Sequence, residues 1–123
     1  MSVRISGLLL GAALALTAST ASLAQEHMTA NDVLPGCVSS SRDLRETDAA
    51  AAGYCAGTVS ALMTLVMSRS LSDVWGCIDI PRGVTVGQGM RVVVRYIEAR
   101  PQMMHERFVF LALSALRDAW PCK

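Results

Sequence analysis

Beyond the first two dozen residues the apolar positions recur at helical spacing, and strand signals are nearly missing. The only β-branched run, Val92-Val93-Val94, lies inside a pattern that puts Met90, Val93, Val94 and Ile97 on one helix face and Arg91, Arg95 and Glu98 on the other. A short first helix is predicted after Asn31, a good cap, carrying Val33, Leu34 and Cys37, with Pro35 in its first turns where proline is tolerated. The polar stretch from Val38 to Glu46 reads as a loop exposing Arg42, Asp43, Arg45 and Glu46. The longest helix is expected from a Thr47 cap to about Leu71, with Asp48 at its positive end. Ala49, Gly53, Gly57 and Ala61 recur in it every four residues as a small-residue ridge, and no charge occurs from Ala49 to Ser68. Membrane helix dimers use that spacing, and so do soluble helices that approach closely; its Ala, Gly, Ser and Thr content favours the soluble reading, a buried central helix. The chain leaves this helix through Gly76, Cys77, Pro81 and Gly83. Thr85 and Gln88 form a capping box that opens a third helix reaching about Ala99. Pro101 ends it and can open a fourth, whose stripe is Phe108, Leu111, Ala112, Ala115, Leu116 and Ala119; Pro121 stops that helix just before Cys122.

The N-terminus changes the picture of where this bundle works. Arg4, the apolar stretch Ile5 to Leu16 and the small-residue run ending Ala21-Ser22-Leu23-Ala24 read as a signal peptide cleaved after Ala24, against the alternative of an uncleaved anchor. The stretch is too short to span a bilayer by itself. The expected organisation is therefore a signal peptide over residues 1–24 and one helical domain over 25–123, periplasmic and without a membrane span after cleavage. A chain of that size makes one domain with a modest core. Removing Arg4 leaves ten basic against ten acidic residues, with neither sign dominating any stretch, so no nucleic-acid footprint or polybasic membrane patch is expected.

All four cysteines, Cys37, Cys55, Cys77 and Cys122, lie beyond the signal peptide, and an even number in an oxidising compartment predicts two disulfides. Their wide gaps, and two histidines (His27 and His105) far from any of them in sequence, argue against a metal site. Three connectivities exist. If the third and fourth helices fold back as a hairpin, Cys77 and Cys122 meet at its ends, leaving Cys37 to pair with Cys55. The expected fold class is then all-α, a small four- to five-helix bundle stapled by two disulfides.

No catalytic constellation is found. His105-Glu106 starts like a zinc-protease motif, but Val109 occupies the second histidine position; Gly87-Gln88-Gly89 lacks a third glycine, Val92 standing there, and has no preceding strand. There is no nucleophile elbow, and paired cysteines cannot act as nucleophiles. The expectation is a binding protein, not an enzyme, with no cofactor. Partner-binding candidates are Trp75 and the turn residues Pro81, Arg82 and Gly83. Trp75 either anchors a partner or covers the core, with core cover favoured. Arg82 is either an interface arginine or an ordinary solvated one. His105 is read as bonding across the corner between the third and fourth helices, and Tyr96 as a residue at the core edge.

Longer motifs carry a resemblance. Gly53-Tyr54-Cys55-Ala56-Gly57, then Cys77-Ile78 leading to Gly83-Val84-Thr85-Val86-Gly87-Gln88, then Val92-Val93-Val94-Arg95-Tyr96-Ile97 with Arg100-Pro101 and His105, and the closing Ala115-Leu116-Arg117-Asp118-Ala119-Trp120-Pro121-Cys122 together look like the Rap/Tai group of immunity proteins. Family sequences often carry a proline close after the third cysteine; here the spacing is longer, Cys77-Ile78-Asp79-Ile80-Pro81. The resemblance implies a periplasmic, helical, disulfide-containing protein that binds and inhibits a peptidoglycan amidase effector of type VI secretion, often as a homodimer that blocks the effector's cleft. The matched residues look largely structural, so the resemblance does not identify toxin contacts. The competing expectations are an HdeA-like acid-stress chaperone of comparable architecture, an orphan helical binding module, or a helical subunit of an envelope assembly.

Overall fold

The computed structural model describes residues 28–42, 45, 48–69 and 75–123; the signal-peptide reading falls outside them. Among the described residues four α-helices follow one another: α1 Ala30–Ser41, α2 Ala49–Met67, α3 Val86–Glu98 and α4 Phe108–Ala119, with a 3-10 turn at Pro101–Met103 between the last two. The described residues contain no strand, only the isolated bridges Thr29–Arg107 and Ile78–Pro121. The all-α, disulfide-stapled class expected from the sequence is the class observed.

The cap of helix α1 is Thr29, two residues before the Asn31 cap read from the sequence, because Thr29 and Asp32 make the better start. The Asp32 carboxylate accepts from the Thr29 hydroxyl at 2.7 Å and from the Thr29 backbone N–H at 2.9 Å. Pro35 is thus an interior residue of the helix, not one of its first turns. The helix also runs through residues read as loop, up to Ser41. Their polarity misleads: the Ser39 and Ser41 hydroxyls donate back to the carbonyls of Gly36 and Val38, and Ser39 is buried. Just beyond, Arg42 pairs with Glu98 of α3 at 2.9 Å, with both side chains about half exposed.

The hydrogen bonds from Thr29, first the hydroxyl and then the backbone N–H, hold the Asp32 carboxyl below the ordinary aspartate range. A depressed carboxylate stabilises the fold above its unfolded value, and that contribution disappears as pH falls through the folded value. In an Asp32→Asn variant, melting temperature should fall less steeply across that acid window than in the parent, a comparison that thermal unfolding in a pH series makes directly.

Helix α2 starts from Asp48, whose carboxylate accepts from the Ala51 N–H at 3.0 Å, so Asp48 rather than Thr47 is the cap; Thr47 itself lies outside the described residues. The helix ends at Met67, earlier than expected, where Arg69 turns to a positive φ of 60°. Ala51, Ala52, Cys55, Val59, Leu62, Met63 and Val66 form its buried stripe. By length and composition α2 could cross a membrane, but this stripe packs on α1 and α3 and Cys55 is bonded to Cys37. It is a core helix.

The small-residue ridge expected to receive a neighbouring helix faces outward. Ala49, Gly53, Gly57 and Ala61 are all exposed, and a methyl group on either glycine would meet nothing within 4 Å. The close approach is made from the other side. Gly36 of α1 lies on the α2 backbone at Ala51 and Ala52.

Helix α3 follows the sequence reading closely. The Gln88 N–H donates to the Thr85 hydroxyl at 3.2 Å while the Thr85 N–H donates to the Gln88 side chain at 2.8 Å, and Met90, Val93, Val94 and Ile97 are buried. Pro101 opens only the 3-10 turn; α4 starts seven residues later, at Phe108. The reason is α1. Its unsatisfied first N–H groups take the corner's carbonyls, Ala30 donating to Glu106 at 3.0 Å and Asn31 to Met104 at 2.9 Å, while Phe108 donates to Met28 at 2.9 Å. Phe108 then sits fully buried, edge-on to Tyr54 at 6.1 Å between ring centres.

The two disulfides are Cys37–Cys55 and Cys77–Cys122, each with Cα atoms 5.4 Å apart. The first fastens α1 to α2, and the second closes the open end of the α3–α4 hairpin, the pairing favoured from helix placement.

Candidate functional site

The segment from Cys77 to Thr85 is clamped at its base and exposed at its tip. At the base, the disulfide to Cys122 is reinforced by the Asp79 N–H donating to the Trp120 carbonyl at 2.9 Å and the Cys122 N–H donating to the Cys77 carbonyl at 3.4 Å. Ile80 then dips into the core. The chain turns at Pro81-Arg82-Gly83-Val84, the Val84 N–H returning to the Pro81 carbonyl at 3.3 Å, and runs into the capped start of α3. Gly83 has φ of +89°, which the third position of a type II turn requires and which side chains resist. Within the Cys77-Ile78-Asp79-Ile80-Pro81 segment, the buried Ile80 anchors the turn to the core. Pro81, Arg82 and Gly83 are all exposed on this turn.

Trp75 lies on the far side of Cys77, and its half-buried ring is stacked on Phe110 of α4, with centres 5.5 Å apart and planes 27° from parallel. Phe110 keeps 43% of its surface exposed, so the pair both covers the core and presents an aromatic face. Sequence reasoning overlooked Phe110, although it falls outside the buried α4 stripe and its position there was the available signal. His105 is exposed and 3.3 Å from Glu106; the corner it was expected to bridge is held by backbone bonds instead.

Beside the turn, α3 and α4 leave a groove of about 710 Å³ that the sequence reading did not anticipate. Val84 and Gln88 line its end nearest the turn, Arg91 and Arg95 one wall, Tyr96 and Arg100 its far part, and Trp120 and Asp118 the α4 side. The Arg100 guanidinium lies over the Tyr96 ring, 3.7 Å from its centre, and donates to the Tyr96 carbonyl at 3.1 Å. Ala119, expected in the buried stripe, is exposed and borders this groove; Leu113 is buried instead. Among the described residues no three His, Cys, Asp or Glu side chains gather as a metal site would require.

The family model of the Rap1a immunity proteins matches residues 29–122. The chain belongs to the Rap1a immunity protein family. No curated protein and no solved structure is a significant match. The matched span runs from Thr29, the cap of α1, to Cys122, the last half-cystine. Within this Rap1a member, both disulfides fit an oxidising compartment, and an immunity function implies a protein effector as partner.

Proposed function

We propose that this protein is a periplasmic immunity protein that binds a peptidoglycan amidase effector of type VI secretion and inhibits it, without catalysis of its own. The observation that carries the reading is the family match over residues 29–122, joined to a turn, Pro81-Arg82-Gly83, held out from the fold by a disulfide, a buried isoleucine and a helix cap. A pre-organised protrusion of this kind suits insertion into an enzyme cleft, because little ordering entropy remains to be lost on binding. Arg82 supplies the charged contact at its tip, and the Trp75–Phe110 face a flanking apolar one. The signal peptide, cleaved after Ala24, delivers the domain formed by residues 25–123 to the periplasm. The uncharged outer face of α2 is where a second copy would pack in a homodimer.

The acid-chaperone alternative draws little support from the core, where the only buried polar side chain among the described residues is Ser39, so acid has no buried carboxylate to protonate. The test is to titrate the purified protein into a peptidoglycan amidase effector taken from its own gene neighbourhood and follow cell-wall hydrolysis, and a neighbourhood without such an effector counts against the proposal. Hydrolysis should stop near equimolar addition, and Arg82→Asp should raise the concentration needed by about tenfold or more. A protein that neither binds nor inhibits such a hydrolase refutes the proposal; unchanged inhibition by Arg82→Asp removes the turn from the interface.

A further inference from the structure

The groove between α3 and α4 has a chemistry of its own, separate from the turn. Three guanidinium groups, Arg91, Arg95 and Arg100, line it against a single carboxylate, Asp118. Arg100 is engaged with Tyr96, but Arg91 and Arg95 are exposed and make no ion pair among the described residues. The nearest acid along α3, Glu98, is taken by Arg42. Two arginines one helical turn apart, with no ion pair among the described residues, beside a groove with aromatic walls at Tyr96 and Trp120, leave an excess of positive charge that the single Asp118 carboxylate does not balance.

We infer that this groove binds an extended acidic peptide segment of a protein partner, with carboxylates at alternate positions paired to Arg91 and Arg95. The spacing supports a peptide. Side chains at i and i+4 on a helix start about 5–6 Å apart, and alternate side chains of an extended strand recur every ~6.7 Å on one side. Each guanidinium fork can take a carboxylate with two parallel hydrogen bonds. Between the two ion pairs, the peptide backbone and its apolar side chains would lie against Val92, Tyr96 and Trp120. The groove's volume lies within the range of about 300–1,000 Å³ that small-ligand sites occupy, enough for a few residues. The inference goes beyond the immunity reading and does not need it, since the groove's chemistry is indifferent to whether the partner is a hydrolase.

The test uses the purified protein and a capped peptide alternating glutamate and alanine, measured by calorimetry at low salt, with amide chemical shifts locating the contact. The expected result is binding that weakens as salt is raised, shifts centred on Arg91, Arg95, Tyr96 and Trp120, and about tenfold weaker affinity in an Arg91→Gln/Arg95→Gln variant. Both positions are exposed and glutamine is a good helix former, so the variant should keep the parent's melting temperature. The inference is overturned if the peptide does not bind or the variant binds it equally. It is overturned equally if the glutamine–alanine peptide binds as well, or if a single-stranded oligonucleotide binds more tightly than the acidic peptide. Because no amidase is present, failure here leaves the inhibition experiment unaffected, and the reverse holds too.

Discussion

Replacing Cys77 and Cys122 with serine should cost about 4 kcal/mol of folding stability, the chain-entropy value for a link across 45 residues. Single domains have only about 5–15 kcal/mol in hand, so the variant should unfold at far lower denaturant concentration. The substitution itself is mild, because Cys77 is exposed and Cys122 half-buried, leaving little cavity behind. What is lost is closure: the ends of the α3–α4 hairpin would be held only by the Asp79–Trp120 and Cys122–Cys77 backbone bonds and by Ile80. A loss under ~1 kcal/mol would mean that these contacts already restrain the loop without the covalent link. Exposure adds a second expectation. Cys37 and Cys55 are fully buried, so a mild reductant should open Cys77–Cys122 first. If the Pro81–Gly83 turn forms the partner contact, affinity should fall in that singly reduced protein.

Gly36→Ala should cost about 3 kcal/mol by overpacking. The new methyl group would fall 2.5 Å from the Ala51 carbonyl carbon and 2.7 Å from the Ala51 Cβ, and it would also meet the Ala52 backbone nitrogen. Backbone cannot swing aside as a flexible side chain can. Nor can α1 retreat freely, because the next residue, Cys37, is bonded to Cys55 of α2. The natural control is the same change at Gly53 or Gly57, where the methyl group meets nothing. Either substitution should stabilise the helix by up to about 1 kcal/mol, the ordinary helix preference of alanine over glycine. Equilibrium unfolding of the three variants checks both signs at once. A neutral Gly36→Ala would show that the two helices do not approach so closely.

That contrast also marks where the sequence could be read and where it could not. Periodicity located α3 and the buried part of α4, and the reciprocal Thr85–Gln88 bonds were written in two side chains three residues apart. The disulfide pairing followed from helix order. The glycine ridge misled, because four-residue spacing says that a face is small without saying which way it points; the buried stripe beside it, Ala51, Cys55, Val59 and Met63, holds the larger share of apolar surface and wins the core. The start of α4 was illegible for another reason. Its position depends on carbonyls that α1 borrows from more than seventy residues away, a long-range demand that no local window contains. In the site, Pro81, Arg82 and Gly83 were visible as a turn, whereas the groove requires Trp120 to face Arg91 and Arg95 across two helices and belongs to the tertiary structure alone.

The disulfide connectivity has a consequence for how the molecule is made. Each bond joins neighbouring cysteines in chain order, first with second and third with fourth, so the two covalent loops neither overlap nor enclose one another. When such a polypeptide is threaded N-terminus first into an oxidising compartment, Cys55 arrives while Cys37 is the only thiol waiting, and Cys122 later finds only Cys77. An oxidant acting in order of arrival therefore makes both native bonds and neither of the two scrambled pairings, with no need for a reshuffling catalyst. Order of arrival alone would then select the native cross-links.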